Sequence, residues 1–274
     1  MYRIGLSSCG FLLNEENFRK LNESGISAIE ISMKLDDHRM INHQELSELS
    51  KRYNVELWSY HLPFGPFSLI NIASMSAEKR KYTIELYTEL IKKASDIGVD
   101  KFIVHPSGEP YTAEEREDRI KYSMESLDSL AEIAHGCGAV IAVEDLPRTC
   151  IGNTADEMLR LLSANDKLRV CFDTNHLLID TNLNFIKKVG HRIVTLHVSD
   201  YDFVDEKHWL PGEGVTDFYE LYSALKEVGY DGVWLYEIGL KPPKTLFRSR
   251  ALTFDDFVRN ANEIFTGRHL TRVI

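Results

Sequence analysis

The segment 168-LRVCFDTNH-176 decides how the rest of the sequence is interpreted. It begins as a mostly apolar run, typical of a buried strand, yet Asp173 ends that run and His176 follows three residues later. A carboxylate at the end of a buried strand is costly unless it has a partner. In barrels of alternating strands and helices, the carboxyl ends of the strands form the face that holds the active site. The segment therefore predicts a strand that delivers Asp173 to a functional site.

The same arrangement recurs along the chain and predicts eight strand-helix units. The predicted strands are RIGLSS from 3, AIEISM from 28, VELWSYH from 55, KFIVH from 101, AVIAVE from 139, LRVCFD from 168, IVTLH from 193 and GVWLYE from 232. Amphipathic stretches such as 77–97 and 113–135 separate them. Dividing 274 residues by eight gives about 34 per unit, the size of one strand, one helix and their loops. The fold class is therefore α/β, a single-domain (β/α)8 TIM barrel over residues 1–274, with an open doubly wound sheet as the weaker alternative.

Four glycines are placed where helices should end. Gly25, Gly98, Gly136 and Gly229 each follow an amphipathic stretch and precede a predicted strand. Glycine adopts the left-handed conformation that closes a helix at little cost. We therefore expect that conformation at all four positions.

The composition indicates which partners are disfavoured and in which cellular compartment the protein is expected. The chain has 32 basic and 42 acidic side chains and a formal net charge of −10, which disfavours nucleic acid and anionic membranes as partners. No stretch approaches the roughly 18 apolar residues of a membrane span. The four cysteines are Cys9, Cys137, Cys150 and Cys171. Because they form no CxxC pair, we expect reduced thiols in a cytoplasmic protein.

Carboxylates and imidazoles end seven of the eight predicted strands. They are Glu30, His61, His105, Glu144, Asp173, His197 and Glu237. One such residue alone is more often a hydrogen-bonded structural group, and Glu30 is the weakest member because it could also face solvent. Carboxylates gathered at one mouth repel one another unless protons or a cation compensate them, and neutral imidazoles can bind the same cation. The pattern therefore predicts a divalent metal, such as zinc or manganese.

Seven short motifs carry a resemblance to a known family. They are HLPF (61–64), VHPSG (104–108), VEDLP (143–147), CFDTNH (171–176), LHVSD (196–200), HWLPGEG (208–214) and YEI (236–238). As an ordered set, over nearly the whole chain, they resemble the xylose isomerase-like TIM barrels. That group includes sugar and sugar-phosphate isomerases and epimerases, and also abasic-site nucleases of the endonuclease IV type.

The epimerase branch of this group implies one metal site. The resemblance places the metal on the residues matching Glu144, Asp173, His197 and Glu237, and it assigns His176 to a substrate contact. Those enzymes also place a substrate-binding arginine soon after the seventh-strand histidine. The segment VSDYDFVDE at 198–206 contains none, so the identity of the sugar stays open.

The nuclease branch implies more metal ions. His61 and His105 match two histidines that bind a further zinc in that branch, and His176 with His208 matches the position of another. The nuclease pattern Asp-x-His is replaced here by Glu206-Lys207-His208. These four histidines are therefore candidates either for additional metal or for substrate contacts.

The leading functional hypothesis is a metal-dependent isomerase or epimerase of a sugar or sugar phosphate. A metal that bridges a carbonyl and a neighbouring hydroxyl would stabilise an enediolate, with Glu144 and Glu237 moving the proton. Trp58, Phe64 and Trp209 are candidates for covering the sugar, although plain packing is equally favoured. The alternative is a multi-metal phosphoesterase, and a non-catalytic sugar-binding barrel is least favoured. The sequence contains neither GxGxxG nor a P-loop, so no nucleotide cofactor is expected.

The segment KPPKTLFRSR at 241–250 concentrates basic residues after the last strand. In barrels the loops after strands seven and eight often bind phosphate, which makes Arg248 and Arg250 candidate phosphate ligands. The favoured alternative is a solvated connection to the last helix, which is predicted to start at Thr253.

Overall fold

The structure is a computed structural model that describes residues 1–109 and 111–274, and eight parallel strands form a barrel in that part of the chain. They are β1 Arg3–Ser7, β2 Ala28–Ile31, β3 Glu56–His61, β4 Lys101–Val104, β5 Val140–Glu144, β6 Arg169–Asp173, β7 Ile193–His197 and β8 Val233–Tyr236. Consecutive strands pair from β1 to β7, and β1 also pairs with β8. A parallel bridge from Val198 to Tyr236 joins the ends of β7 and β8 and closes the ring. The predicted TIM barrel is confirmed, and the open sheet is wrong because its strand order would leave two free edges.

Helices surround the ring of strands. They are α1 Glu15–Ser24, α2 Leu35–Met40, α3 His43–Tyr53, α4 Ala77–Ser95, α5 Arg116–Gly136, α6 Ala155–Leu162, α7 Asn182–Val189, α8 Phe218–Glu227 and α9 Phe254–Thr266, with 3₁₀ turns at Ser8–Gly10, Ala113–Glu115 and Gly190–Arg192. Several begin at a capping side chain: Thr154 accepts a hydrogen bond from the first turn of α6, and Asp217 accepts two from α8. Among the described residues, none of the helices combines the length and apolarity of a membrane span.

The glycine expectation holds at three of its four positions. Gly25, Gly98 and Gly229 have φ values of 91°, 95° and 79°. Gly136 does not, because it is still the last residue of α5. The chain turns instead at Gly138, where φ is 74°, and the N–H of Gly138 donates to the carbonyl of His135. The left-handed glycine after α5 therefore lies two residues later than the sequence indicated.

The apolar core has one part outside the ring of strands and another inside it. The outer part fills the space between strands and helices and includes the fully buried Phe18, Phe102 and Phe185. The inner part consists of two small clusters. They are Ala28, Trp58, Val233 and Leu235 in one, and Ile103, Ala142 and Cys171 in the other. Toward the carboxyl ends of the strands the barrel interior becomes polar, and the candidate site begins there.

Candidate metal centre

The structure brings together the predicted side chains at the carboxyl ends of the strands. They are Glu30, His61, His105, Glu144, Asp173, His197 and Glu237. His105 and Glu237 are partly exposed, and each of the others is at most 2% exposed. Glu30, the weakest member of the prediction, lies fully inside the barrel. The mouth therefore gathers acidic and imidazole groups in a space that water scarcely reaches.

Four of these side chains surround one small space. They are Glu144, Asp173, His197 and Glu237, and each offers one donor atom within 4.8 Å of the other three. His197 Nδ1 lies 2.9 Å from Glu144 Oε1 and 3.5 Å from Glu237 Oε2. The buried Asp173 Oδ2 has no hydrogen-bond partner among the described residues. A bound cation would stabilise a buried carboxylate oxygen that has no hydrogen bond, so the group fits a divalent metal such as manganese or zinc.

Without a cation, protons balance the charge of this group. Burial opposes ionisation of Glu144, but the charges of His197 and His105 outweigh it and hold the pKa of Glu144 well below its ordinary value. Burial also opposes protonation of His197, but the acidic groups around it raise the pKa of this imidazole well above 6.5. A metal ligand must give up its proton, so metal binding is expected to weaken as pH falls.

A second group adjoins the first through Glu144. His61 Nε2 and His105 Nε2 lie 3.2 and 3.0 Å from Glu144 Oε2. The Nδ1–H of His61 donates to the backbone carbonyl of Leu62, which leaves Nε2 facing the carboxylate. The ligand atoms of His61, His105 and Glu144 lie within 4.8 Å of one another. This group can hold a further cation or bind substrate hydroxyl groups.

A third group consists of His176, Glu206 and His208, whose ligand atoms also lie within 4.8 Å of one another. His176 Nδ1 donates to a backbone carbonyl, and its Nε2 lies 3.4 Å from Glu206 Oε2. Arg148 Nη1 lies 3.1 Å from Glu206 Oε1. The positive charge of the Arg148 guanidinium would repel a metal cation bound to Glu206. The third group is therefore a poorer metal site than the first.

Two residues that the sequence analysis did not single out shape the loop around His208. Asn175 Oδ1 accepts hydrogen bonds from the backbone N–H groups of Lys207 and His208, and His208 has a φ of 51°. The buried Asp200 accepts hydrogen bonds from the backbone N–H of Gly214 and of neighbouring residues. Hydrogen bonds between side chain and backbone leave no periodic pattern, so the sequence contained no signal for these roles.

The mouth opens into a cleft on the side of β1 to β3. The cavity has a volume of about 1500 Å³ and reaches His208 and Glu237 at its inner end. Apolar side chains form much of its wall, and among them Leu12 and Phe64 are 74% and 42% exposed. The cleft is large enough to admit a small organic substrate to the four-residue group.

The three aromatic residues considered as sugar contacts lie in different places. Phe64 borders the mouth and stacks on His105, with ring centroids 4.4 Å apart. Trp58 lies at the opposite end of the barrel, where Lys101 Nζ is 3.7 Å from its ring. Trp209 is 9% exposed and donates from Nε1 to Thr245 Oγ1. Of the three, Phe64 alone borders the cleft.

The two arginines considered as phosphate ligands are both paired with carboxylates. Arg248 is buried and donates to Glu213 from Nε and Nη2, at 2.8 and 2.6 Å. Arg250 pairs with Asp256, which also accepts from the backbone N–H of Thr253 at the start of α9. These pairs do not support a phosphate contact by either arginine. The predicted helix start at Thr253 is confirmed.

Known proteins resemble this chain over most of its length. A family model described as xylose isomerase-like TIM barrel matches residues 18–254. An uncharacterized protein of Methanocaldococcus jannaschii is 31% identical over 248 residues, which cover 84% of this chain and 82% of that protein. An inosose isomerase of Bacillus velezensis is 25% identical over 84% of this chain and 80% of its own length. The crystal structure of a D-tagatose 3-epimerase-like protein has a TM-score of 0.80 and 25% identity, over 96% of this chain and 97% of that one. Further relatives are named D-psicose 3-epimerase and probable endonuclease 4.

Proposed function

The chain belongs to the family of xylose isomerase-like TIM barrels, which confirms the resemblance of its motifs, and on that premise we propose a metal-dependent isomerase or epimerase of sugars or related polyols. The observation that carries the proposal is the four-residue group of Glu144, Asp173, His197 and Glu237, of which Glu237 lines an open cleft. The relatives named inosose isomerase and D-psicose 3-epimerase support the same class of reaction.

These four side chains would hold the cation. Asp173 is prepared for that role, because its Oδ1 accepts hydrogen bonds from the backbone N–H and side-chain amide of Asn175, while Oδ2 accepts no hydrogen bond from the described residues. When bound, the cation would act as a Lewis acid on a substrate carbonyl and an adjacent hydroxyl, and would lower the energy of the negative charge that develops.

In this proposal, Glu144 and Glu237 carry out the proton transfer. Glu144 from β5 and Glu237 after β8 reach the same space from different strands. One carboxylate takes the proton from the carbon next to the substrate carbonyl, and the electron pair moves to the carbonyl oxygen to give an enediolate. The other glutamate returns a proton. Return to the opposite face of the same carbon gives an epimer. Return to the former carbonyl carbon gives an isomer, provided that the hydroxyl proton also moves from the oxygen that becomes the new carbonyl to the old carbonyl oxygen.

An unphosphorylated substrate suits this mouth better than a phosphorylated one. Arg248 and Arg250 are committed to Glu213 and Asp256. The carboxylates at the end of the cleft repel a phosphate group. We therefore favour a neutral ketose or keto-polyol.

The test is exchange of substrate hydrogen with the solvent. Chelator-treated protein is reloaded with Mn²⁺, Co²⁺ or Zn²⁺ and incubated with ketohexoses and keto-inositols in deuterium oxide. We expect deuterium at the carbon next to the carbonyl, detected by NMR, in the loaded protein and not in the chelated one. Metal-loaded protein that leaves every such substrate unexchanged would contradict the proposal.

A multi-metal phosphoesterase is the second candidate, because the groups around His61 and His176 add possible metal sites beside the first. It predicts about three metal ions per chain and incision of DNA at abasic sites. Arg148 beside Glu206 and the net charge of −10 weigh against it. Elemental analysis after dialysis decides between the two, since one ion per chain supports the isomerase.

A further inference from the structure

Glu30 contacts His197 on the side of the imidazole opposite Glu144. Its Oε2 accepts hydrogen bonds from His197 Nε2 at 3.0 Å and from Ser59 Oγ at 2.9 Å. His197 turns its other ring nitrogen, Nδ1, toward Glu144 Oε1 at 2.9 Å. A single imidazole therefore contacts Glu30 on one side and the four-residue group on the other.

A β-bulge between β2 and β3 places the Glu30 side chain beside His197. The pairing register between β2 and β3 shifts between Ile29 and Glu30, so that Ile29 is opposite Leu57 while Glu30 is opposite Ser59. Such a bulge re-aims the side chains that follow it. It sets the Glu30 carboxylate beside the Ser59 hydroxyl in the barrel interior. A buried carboxylate is costly without donors, and Ser59 and His197 supply them.

We infer that Glu30 is a positioning residue for the metal centre, holding His197 with its proton on Nε2 so that Nδ1 is available to the cation. An imidazole binds a metal through a nitrogen without a proton, and a carboxylate on the other nitrogen fixes the tautomer and ring orientation and makes the ligand more basic. Glu30 belongs to none of the candidate ligand groups in the described part of the chain. The inference rests on the metal centre of the proposed function.

The test measures Co²⁺ binding by the whole chain. Chelator-treated wild type, Glu30→Gln and Ser59→Ala are titrated by calorimetry, and the visible absorption of bound Co²⁺ is recorded. We expect Glu30→Gln to weaken binding roughly 10- to 100-fold and to change the spectrum, as for other partners of metal-bound histidines. Ser59→Ala should cause a smaller loss in the same direction. Neither result requires an active enzyme.

Glu263→Gln is the matched control. Glu263 is 7% exposed, lies on α9 and accepts hydrogen bonds from Thr271, so the variant also removes a buried carboxylate, but away from the mouth. It should bind Co²⁺ as wild type does. A general effect of lost buried charge would weaken both variants alike and overturn the inference.

The outcomes separate this inference from the proposed function. Wild type that binds no Co²⁺, Mn²⁺ or Zn²⁺ removes the metal centre and the role of Glu30 with it. Wild type that binds Co²⁺ no better than folded Glu30→Gln and Ser59→Ala removes only the role of Glu30. If Glu30→Gln does not fold, as circular dichroism would show, Ser59→Ala and Glu30→Asp decide the question, because both should fold and bind more weakly.

Discussion

Buried charge is arranged differently at the barrel mouth and in a pair that joins the loops after β7 and β8. In this loop pair, Arg248 donates two hydrogen bonds to Glu213, and the two side chains are 0% and 4% exposed. At the mouth, four carboxylates share His197. The loop pair is electrically complete within the chain, whereas the mouth needs protons or a cation for its balance.

The difference distinguishes charged residues that stabilise the fold from charged residues that are available to bind a ligand. The charges of Arg248 and Glu213 balance each other within the chain, so loss of this pair should lower stability. The mouth keeps carboxylates together at an energetic cost that protons or a bound cation must offset. Sites that sacrifice stability in this way are typical of function.

The largest effect is expected from Glu237→Gln. Losing one of the two proton-transfer groups should lower the rate of deuterium exchange by roughly 10² to 10⁴. Burial raises the pKa of Glu237 above its ordinary value, so its charge is disfavoured in the fold. The metal-free variant should therefore melt at or above the temperature of metal-free wild type. Scanning calorimetry and the exchange assay check both statements, and a large drop in melting temperature would place Glu237 with the structural charges.

The arrangement of the mouth could be predicted because strands impose a regular period. Every predicted strand is present, and apolar runs ended by carboxylates or imidazoles placed Glu144, Asp173 and His197 at one face. Parallel strands that close a ring bring their carboxyl ends together, so position along the chain was enough.

The loop pair and the bulge could not be predicted in this way. Arg248 and Glu213 are 35 residues apart, and no local pattern links them. The bulge at Glu30 depends on pairing between two strands rather than on either strand alone. Contacts between distant segments are set by packing of the whole chain. For this reason the sequence suggested a phosphate for Arg248 and did not reveal Glu213 as its partner.

A smaller but still large effect is expected from Arg248→Ala. Removing one member of a buried pair leaves Glu213 charged and unpaired, which should lower the free energy of unfolding by about 3–5 kcal/mol. Urea denaturation measures this loss. Metal content and exchange rate per folded molecule should stay close to those of wild type. Unchanged stability together with a selective loss of phosphorylated sugars would reverse the assignment and make Arg248 a phosphate ligand.

The smallest expected effect is on stability in acid. It depends on the different pKa values of two buried histidines, one inside the barrel mouth and one outside it. Burial lowers the pKa of His61, but hydrogen bonding to Glu144 and the charge of that residue outweigh burial and raise it to about 9. His38 on α2 is also buried, and its Nδ1 lies 2.9 Å from the Tyr60 hydroxyl. Burial therefore lowers the pKa of His38 from 6.5 to about 3. Of these two buried imidazoles, the one beside Glu144 has the raised pKa.

This contrast predicts the acid sensitivity of the fold. Below pH 6.5 the unfolded chain takes up a proton at His38 that the folded chain refuses until about pH 3, so stability falls with pH in that window. The loss amounts to about 2 kcal/mol at pH 5. In metal-free protein, the decrease in unfolding free energy from pH 7.5 to pH 5 should be smaller by that amount in His38→Gln. The exposed His135→Gln should show the full decrease. An equal decrease in His38→Gln and wild type would mean that His38 accepts its proton inside the fold, and that burial alone does not separate the two kinds of histidine.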